Sequence, residues 1–149
     1  MNLFGVMEIS SSALRAQRVR AEVVAVNMAN AETTRTEGGI PYQRQSVILQ
    51  TAAGTSFAGA MKSFGVIGDS VAPAGGVEVA SVISSTAPAL RRYDPSHPDA
   101  DGDGYVSYPD ISPVTEMVDL MGASRSYGLN ASAVQAEKGM LAASLDLLK

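Results

Sequence analysis

The residues best suited to chemistry lie in one short acidic segment, DADGDGYVSYPD at positions 99–110. Counted from its first residue, carboxylates occupy positions 1, 3, 5 and 12, and a glycine occupies position 6. This is the spacing of an EF-hand calcium loop, except that the last residue is Asp where Glu is usual. One hypothesis is therefore a small calcium-binding module with the ligands Asp99, Asp101, Asp103 and Asp110.

The sequence on either side of this segment favours a different interpretation. An EF-hand loop joins two helices, whereas here DPSHP precedes the segment and YPDISP closes and follows it. Proline interrupts a helix and also disfavours the helical conformation at the residue before it. We therefore interpret the segment as a solvated acidic turn that leads into a short strand at Tyr105–Tyr108, and keep the calcium module as the alternative.

The other residue types exclude most kinds of catalytic or metal site. The chain has no cysteine and a single histidine, His97, so thiol nucleophiles and multi-histidine metal sites are excluded. Eleven basic and fifteen acidic residues give a formal net charge of −4, and the arginines are scattered, so nucleic acid is not an expected partner. We predict a protein that is not an enzyme and has no catalytic residues, cofactor or bound metal.

A heptad pattern at the start of the chain predicts a long helix over residues 1–32. Apolar or small residues recur at every seventh position, which places them on one helical face. This column consists of Met7, Leu14, Ala21 and Met28, and a companion column contains Val24 with the polar residues Ser10 and Gln17. A single helix with so few large apolar residues on this face is only marginally stable in water. The pattern leaves open whether the helix packs on its own domain or on a neighbouring chain.

The end of the chain, residues 113–149, shows the same pattern more clearly. Ser112 and Pro113 supply a helix N-cap and a first-turn proline, and Glu116 places negative charge near that helix terminus. The apolar column is Leu120, Tyr127, Val134, Leu141 and Leu148, and Met117 begins a flanking column. Such a helix is roughly 50 Å long, more than a small domain needs. Three glycines inside it indicate either breaks in the helix or close approach of a neighbouring helix.

The middle of the chain, residues 33–112, has no helical pattern. Clusters of β-branched and aromatic residues predict strands at Tyr42–Leu49, Val77–Ile83 and Tyr105–Tyr108. The stretch 51–76 is rich in Gly, Ala and Ser and predicts a flexible loop or hairpin. The predicted fold is therefore α+β: long N- and C-terminal helices that form a coiled-coil-like assembly domain, with a small central β-rich domain.

The first residues, MNLFGVMEIS, lack a basic region and carry Glu8 within the apolar stretch, so no cleaved signal peptide is expected. No apolar run is long enough to predict a membrane span. These absences indicate a cytoplasmic location unless the chain is exported by a dedicated route that leaves its N-terminus uncleaved.

Two segments carry a family resemblance. VNMANAETTRTEGGIPYQRQSVILQ resembles the N-terminal signature of the bacterial flagellar axial proteins, an Asn-x-Ala-Asn step followed by a polar turn and a Tyr-x-Arg strand. The matching positions are Asn27, Ala29, Asn30, Tyr42 and Arg44. YDPSHPDADGDGYVSYPDISPVTEMVDLMGASRSY at 93–127 is similar to the C-terminal signature of the rod members of that family.

The resemblance implies a structural subunit of the proximal rod of the flagellar basal body, a helical tube that transmits torque and encloses the export channel. It implies export without a cleaved signal peptide. The partners would be copies of the chain and other rod subunits, with the basal-body ring and the export gate as further candidates. The residues expected to bind these partners are the two heptad columns with Val24, Met117, Asn27 and Asn30.

The two interpretations of the acidic segment predict different responses to calcium. If the segment is a solvated turn, titration of the protein with calcium chloride up to millimolar concentrations releases no heat beyond that of dilution in calorimetry. Micromolar affinity accompanied by a gain of helix would instead support the calcium module.

Overall fold

The computed structural model describes residues 3–52 and 75–146. These residues form one helix at each end of the chain and four strands between the helices, which confirms the α+β class predicted from the sequence. The elements are α1 (Leu3–Ala29), β1 (Gln45–Thr51), β2 (Val77–Ser84), β3 (Leu90–Tyr93), β4 (Tyr105–Tyr108) and α2 (Pro113–Asp146). Within these ranges no helix is long and apolar enough to cross a membrane. The predicted loop at 51–76 lies mostly outside the described residues.

The two terminal helices pack against each other in an antiparallel direction. Polar contacts join Ser10 to Glu137 near one end of α1 and Asn27 to Glu116 near the other. Between these contacts the helices approach through small side chains, and Ala123 of α2 is almost fully buried. The two helices that carry the heptad faces therefore contact each other within one molecule. Packing of these faces as a coiled coil stays a prediction.

Strands β1 and β2 form an antiparallel sheet that lies along α1. Two polar side chains of α1 hold its ends. Asn27 bonds to the backbone of Gln45 at the start of β1, and the Ser12 hydroxyl accepts a hydrogen bond from Val77 N–H at the start of β2. Fifteen residues of helix span about 22 Å, and a strand of seven residues spans about the same distance. The spacing of Asn27 and Ser12 on α1 thus matches the length of the sheet.

Strands β3 and β4 form a second two-stranded sheet, so the described part of 33–112 contains two separate sheets. The sequence predicted β4 and β2 closely and placed the start of β1 three residues early, but it missed β3. That strand has only four residues, two of them arginines. Its arginines are favourable because they stack on aromatic rings of β4, with Arg92 lying 4.0 Å from the ring centre of Tyr108. This pairing across strands is not visible from the sequence of β3 alone.

The conformation of the acidic turn between β3 and β4 can be tested by substituting its glycines. Gly104 has a φ of 79°, and an added Cβ would lie 3.0 Å from a ring carbon of Tyr93. Because the left-handed conformation costs a residue with a Cβ about 1–2 kcal/mol, Gly104→Ala should lower the free energy of unfolding by at least that amount. Urea denaturation monitored by circular dichroism measures the change.

Gly102→Ala is the matched control, because no atom lies within 4 Å of an added Cβ there and its φ is not in the left-handed region. Equal effects of the two substitutions would show that the turn does not adopt this conformation.

Candidate functional site

A buried polar cluster joins α1, α2 and the start of β1, and Asn27 is at its centre. The residue is 1% exposed and uses all four hydrogen-bonding positions of its amide. Its Nδ2 donates to the Gln45 carbonyl at 2.8 Å and to the Glu116 carboxylate at 3.1 Å. Its Oδ1 accepts from Gln45 N–H at 2.9 Å and from the Tyr42 hydroxyl at 3.1 Å. The Asn27 amide therefore pairs with the backbone of β1 as a neighbouring strand would.

The carboxylate of Glu116 lies beside this amide and is fully buried. Arg44 Nε donates to its Oε1 at 2.7 Å, so the buried negative charge has a cation as well as an amide partner. A second carboxylate, Asp119, extends the network: Arg20 of α1 donates to it at 3.0 Å, and Arg44 lies 3.7 Å from it. A buried carboxylate without such partners is strongly destabilising. The cluster therefore fixes α2 relative to α1 and β1.

Electrostatics within the cluster also affect the Tyr42 hydroxyl. Burial, together with the nearby negative charge of Glu116, raises the pKa of Tyr42 above its ordinary value. The hydroxyl thus stays protonated and can donate to Asn27 at neutral pH. The cluster is a structural joint, since every polar group described in it is occupied by another group of the chain.

The two asparagines of the Asn-x-Ala-Asn step have different roles. Asn30 follows the last residue of α1; its Nδ2 donates to the Val26 carbonyl at 2.9 Å, and its Oδ1 accepts from the Thr33 hydroxyl at 3.2 Å. It therefore closes the helix end, as local C-cap reasoning would suggest. Asn27 lies inside the helix and reaches across to β1 and α2. Sequence reasoning named Tyr42, Arg44 and Glu116 but did not connect them to Asn27, because only tertiary packing brings them together.

Three members of the predicted apolar columns, Ala21, Leu120 and Tyr127, line an open and largely apolar groove between α1 and α2. In most of the described members of these columns the side chain is half-buried, whereas Tyr127 is 45% exposed and the flanking residue Met117 is 52% exposed. The half-buried members are Met7, Leu14, Ala21, Met28, Leu120, Val134 and Leu141. Val24 of the companion column is buried, and Leu148 lies outside the described residues. Contact of these residues with another subunit stays a prediction.

The opposite side of α2 carries a second apolar surface that the heptad analysis missed. Its large side chains are exposed, at 73% for Val114, 58% for Val118, 62% for Met121 and 65% for Leu129. A heptad search selects one face of a helix, and here apolar residues occur around most of the circumference. A helix that is apolar all round is typical of one that becomes buried on every side. The distribution of apolar residues around α2 was therefore the signal in the sequence that could have indicated this second surface.

The acidic turn gives no support to the calcium alternative. Asp101 Oδ1 accepts from the N–H groups of Asp103 and Tyr105, and its other oxygen pairs with Arg91. These contacts, with the Tyr105 hydrogen bond foremost, lower the pKa of Asp101. Asp99 instead accepts from the Thr34 hydroxyl at 2.8 Å. Nowhere in 3–52 or 75–146 do three or more acidic or histidine side chains form a group that could hold a metal ion.

Comparison with known proteins agrees with this architecture. The family profile described as "Flagellar basal body rod FlgEFG protein C-terminal" matches residues 103–147. A flagellar basal-body rod protein FlgC from Bacillus subtilis is 40% identical over 153 aligned positions, which cover 100% of both chains. The FlgC proteins of Salmonella typhimurium, at 39% identity, and Borreliella burgdorferi, at 35%, each cover at least 98% of their own length and at least 99% of this chain.

The helix pair, the small sheets and these relatives together define a structural protein of the bacterial flagellar axis and not an enzyme. Within that class, the chain belongs to the family of the flagellar basal-body rod protein FlgC. The family resemblance predicted from the two signature segments is thereby confirmed.

The geometry of the polar cluster predicts a large effect of Asn27→Ala on folding. The substitution removes the partners of the Gln45 N–H and carbonyl groups. It also removes one of the hydrogen bonds to the buried Glu116 carboxylate. Loss of partners for buried polar groups costs about 1–3 kcal/mol, so the free energy of unfolding, measured by urea denaturation, should fall by at least that much.

Asn30→Ala is the matched control, because it removes only two local hydrogen bonds at the end of α1, and we expect a loss of about 1 kcal/mol or less. If the two variants are equally stable, the cluster does not join the helices to β1 as described.

Proposed function

We propose that the chain is a structural subunit of the proximal rod of the flagellar basal body and polymerises through its terminal helices into a tube. The tube transmits torque and surrounds the export channel. The observation that carries this proposal is the exposed apolar surface of α2, considered together with relatives that are named as rod proteins. Soluble monomeric proteins seldom expose apolar patches of this kind, and such patches commonly mark interaction sites.

The surface extends from Val114 to Leu129, about half of a 34-residue helix, which suits an assembly of packed helices. One side of α2 contacts α1, with Glu116, Ala123 and Glu137 buried. On the far side, Met121 and Leu129 are 62% and 65% exposed. Each unit of a helical tube has neighbours on several sides, so a helix that is apolar around most of its circumference gains from each of them.

The buried polar cluster has a mechanical role in this proposal. Torque applied to the helices must reach the rest of the subunit without the elements slipping past one another. The Glu116–Arg44 ion pair at 2.7 Å joins α2 to the segment just before β1. The Asn27–Gln45 hydrogen bonds join α1 to the start of β1. A buried, fully paired network is costly to break. The cluster therefore makes the helix pair and the first sheet move as one unit.

The proposed partners are copies of the chain and other rod subunits, with the basal-body ring and the export gate as further candidates. The proposed location is the rod of the basal body that spans the periplasm. We propose that the chain reaches it by the flagellar export route without removal of an N-terminal signal.

The exposed members of the predicted columns give the sharpest test. Tyr127 and Met117 are about half exposed, so an Asp at either position stays hydrated in the free subunit. In an assembled rod the same carboxylate would be buried without a partner, which costs several kcal/mol. We expect Tyr127→Asp and Met117→Asp to leave the thermal unfolding of the purified protein unchanged while abolishing rod assembly and motility in cells.

Gln135→Asp provides the control at an exposed polar position, and this variant should assemble. Val134 and Leu141 are weaker probes, because both are half-buried in the free chain. Normal motility of the Tyr127→Asp and Met117→Asp variants would contradict assembly through these columns.

A further inference from the structure

The helix pair presents two apolar surfaces, a ridge and a groove. The first is a ridge on the outer side of α2, formed by Val114, Val118, Met121, Arg125 and Leu129. Steps of three and four residues align these side chains along one helical face. Its four apolar members are all more than half exposed, and the ridge contains no acidic residue.

The second surface is the groove between the helices. Small side chains of α1, Ala21 and Ala25, form one wall, and Leu120, Ala123 and Tyr127 of α2 form the other. Small side chains leave room for the larger side chains of another helix to enter, as in ridge-into-groove packing. The groove is thus suited to an apolar helical face.

The two surfaces can also form one ion pair with each other. Arg125 is the one charged residue of the ridge, and it forms no ion pair with any residue in 3–52 or 75–146. Glu22 and Arg18 both lie at the rim of the groove, and within the described residues Glu22 pairs only with Arg18, in an exposed contact of 2.9 Å. Such exposed pairs contribute little, so Glu22 can accept a new partner at small cost.

The two surfaces point in different directions. Met121 on the ridge and Ala123 in the groove are two residues apart, and successive residues turn by 100° in a helix. Their side chains are therefore separated by about 200°, and one molecule cannot place its own ridge in its own groove. A contact between ridge and groove joins different surfaces of two molecules, and repetition of such a contact gives an open polymer.

We propose that the α2 ridge of one subunit docks into the α1–α2 groove of a second copy of this chain, with Arg125 pairing with Glu22 at the rim. The inference rests on the proposed function, because it supplies one of the contacts through which the rod grows. The occupant is a second copy, since both halves of the contact, including the opposite charges, are present on this one chain.

The absence of cysteine from the sequence makes the contact directly testable by cross-linking. Full-length Val118→Cys and Ala25→Cys variants, expressed together in cells, place one thiol on the ridge and one in the groove. Oxidation of purified basal bodies should then give a disulfide-linked dimer of the two variants. In the control experiment, the Glu37→Cys variant is used in place of the Ala25→Cys variant. Glu37 is exposed and lies outside the groove, so this combination should give several-fold less dimer.

Charge reversal tests the pairing at the rim. Adding Arg125→Glu to the ridge variant should reduce the yield of dimer several-fold, and adding Glu22→Arg to the groove variant as well should restore it. Dimer yields no higher than the Glu37→Cys control, or cross-linking of the ridge to a different rod protein only, would overturn the proposal. Basal bodies that contain the chain but show no ridge-to-groove dimer would refute this contact and leave the proposed function standing. Basal bodies without the chain would refute both.

Discussion

The rest of the structure depends on the buried carboxylate of Glu116. A fully buried negative charge is tolerated only where cationic and hydrogen-bonding partners are held close to it. Those partners come from two other parts of the chain: Arg44 immediately before β1, and Asn27 from α1. The requirement thus fixes the position of one end of α2, and the β1–β2 sheet follows because Asn27 also holds the backbone of Gln45.

The contrast between the two ends of the helix pair follows from this constraint. Near the cluster, Glu116 and Asn27 are both fully paired, and Arg20 links α1 to Asp119. At the far end, Glu137 is buried, and one of its carboxylate oxygens has no hydrogen-bond partner within 3–52 and 75–146, while Ser10 bonds to the other at 3.4 Å. Polar groups buried without partners destabilise the packing around them. The helix pair is thus held most firmly at the Glu116 cluster and least firmly where Ser10 meets Glu137.

The acidic turn shows why a spacing pattern alone does not define a metal site. Calcium binding requires the carboxylates to converge on one point. In this chain Asp101 caps the backbone of its own turn, Asp99 contacts Thr34, and Gly104 is required by its left-handed conformation beside Tyr93. Gly104, Asp101 and Asp99 of the calcium pattern are thus explained by the tight turn between β3 and β4 and its contact with Thr34.

The sequence by itself determined the elements whose signals are local. Heptad spacing and the Ser112–Pro113 start predicted both helices, and β-branched clusters predicted three strands, because these patterns act over a few residues. Strand β3 was missed because Arg92 is favourable there only through its stacking on Tyr108 of β4. A contact between two strands is not visible in the sequence of one of them. Only the tertiary structure decided that Asn27 pairs with β1 and Glu116, and that α2 exposes a ridge opposite its heptad column. Both depend on which face of a helix meets the rest of the chain, and a helical period does not specify that.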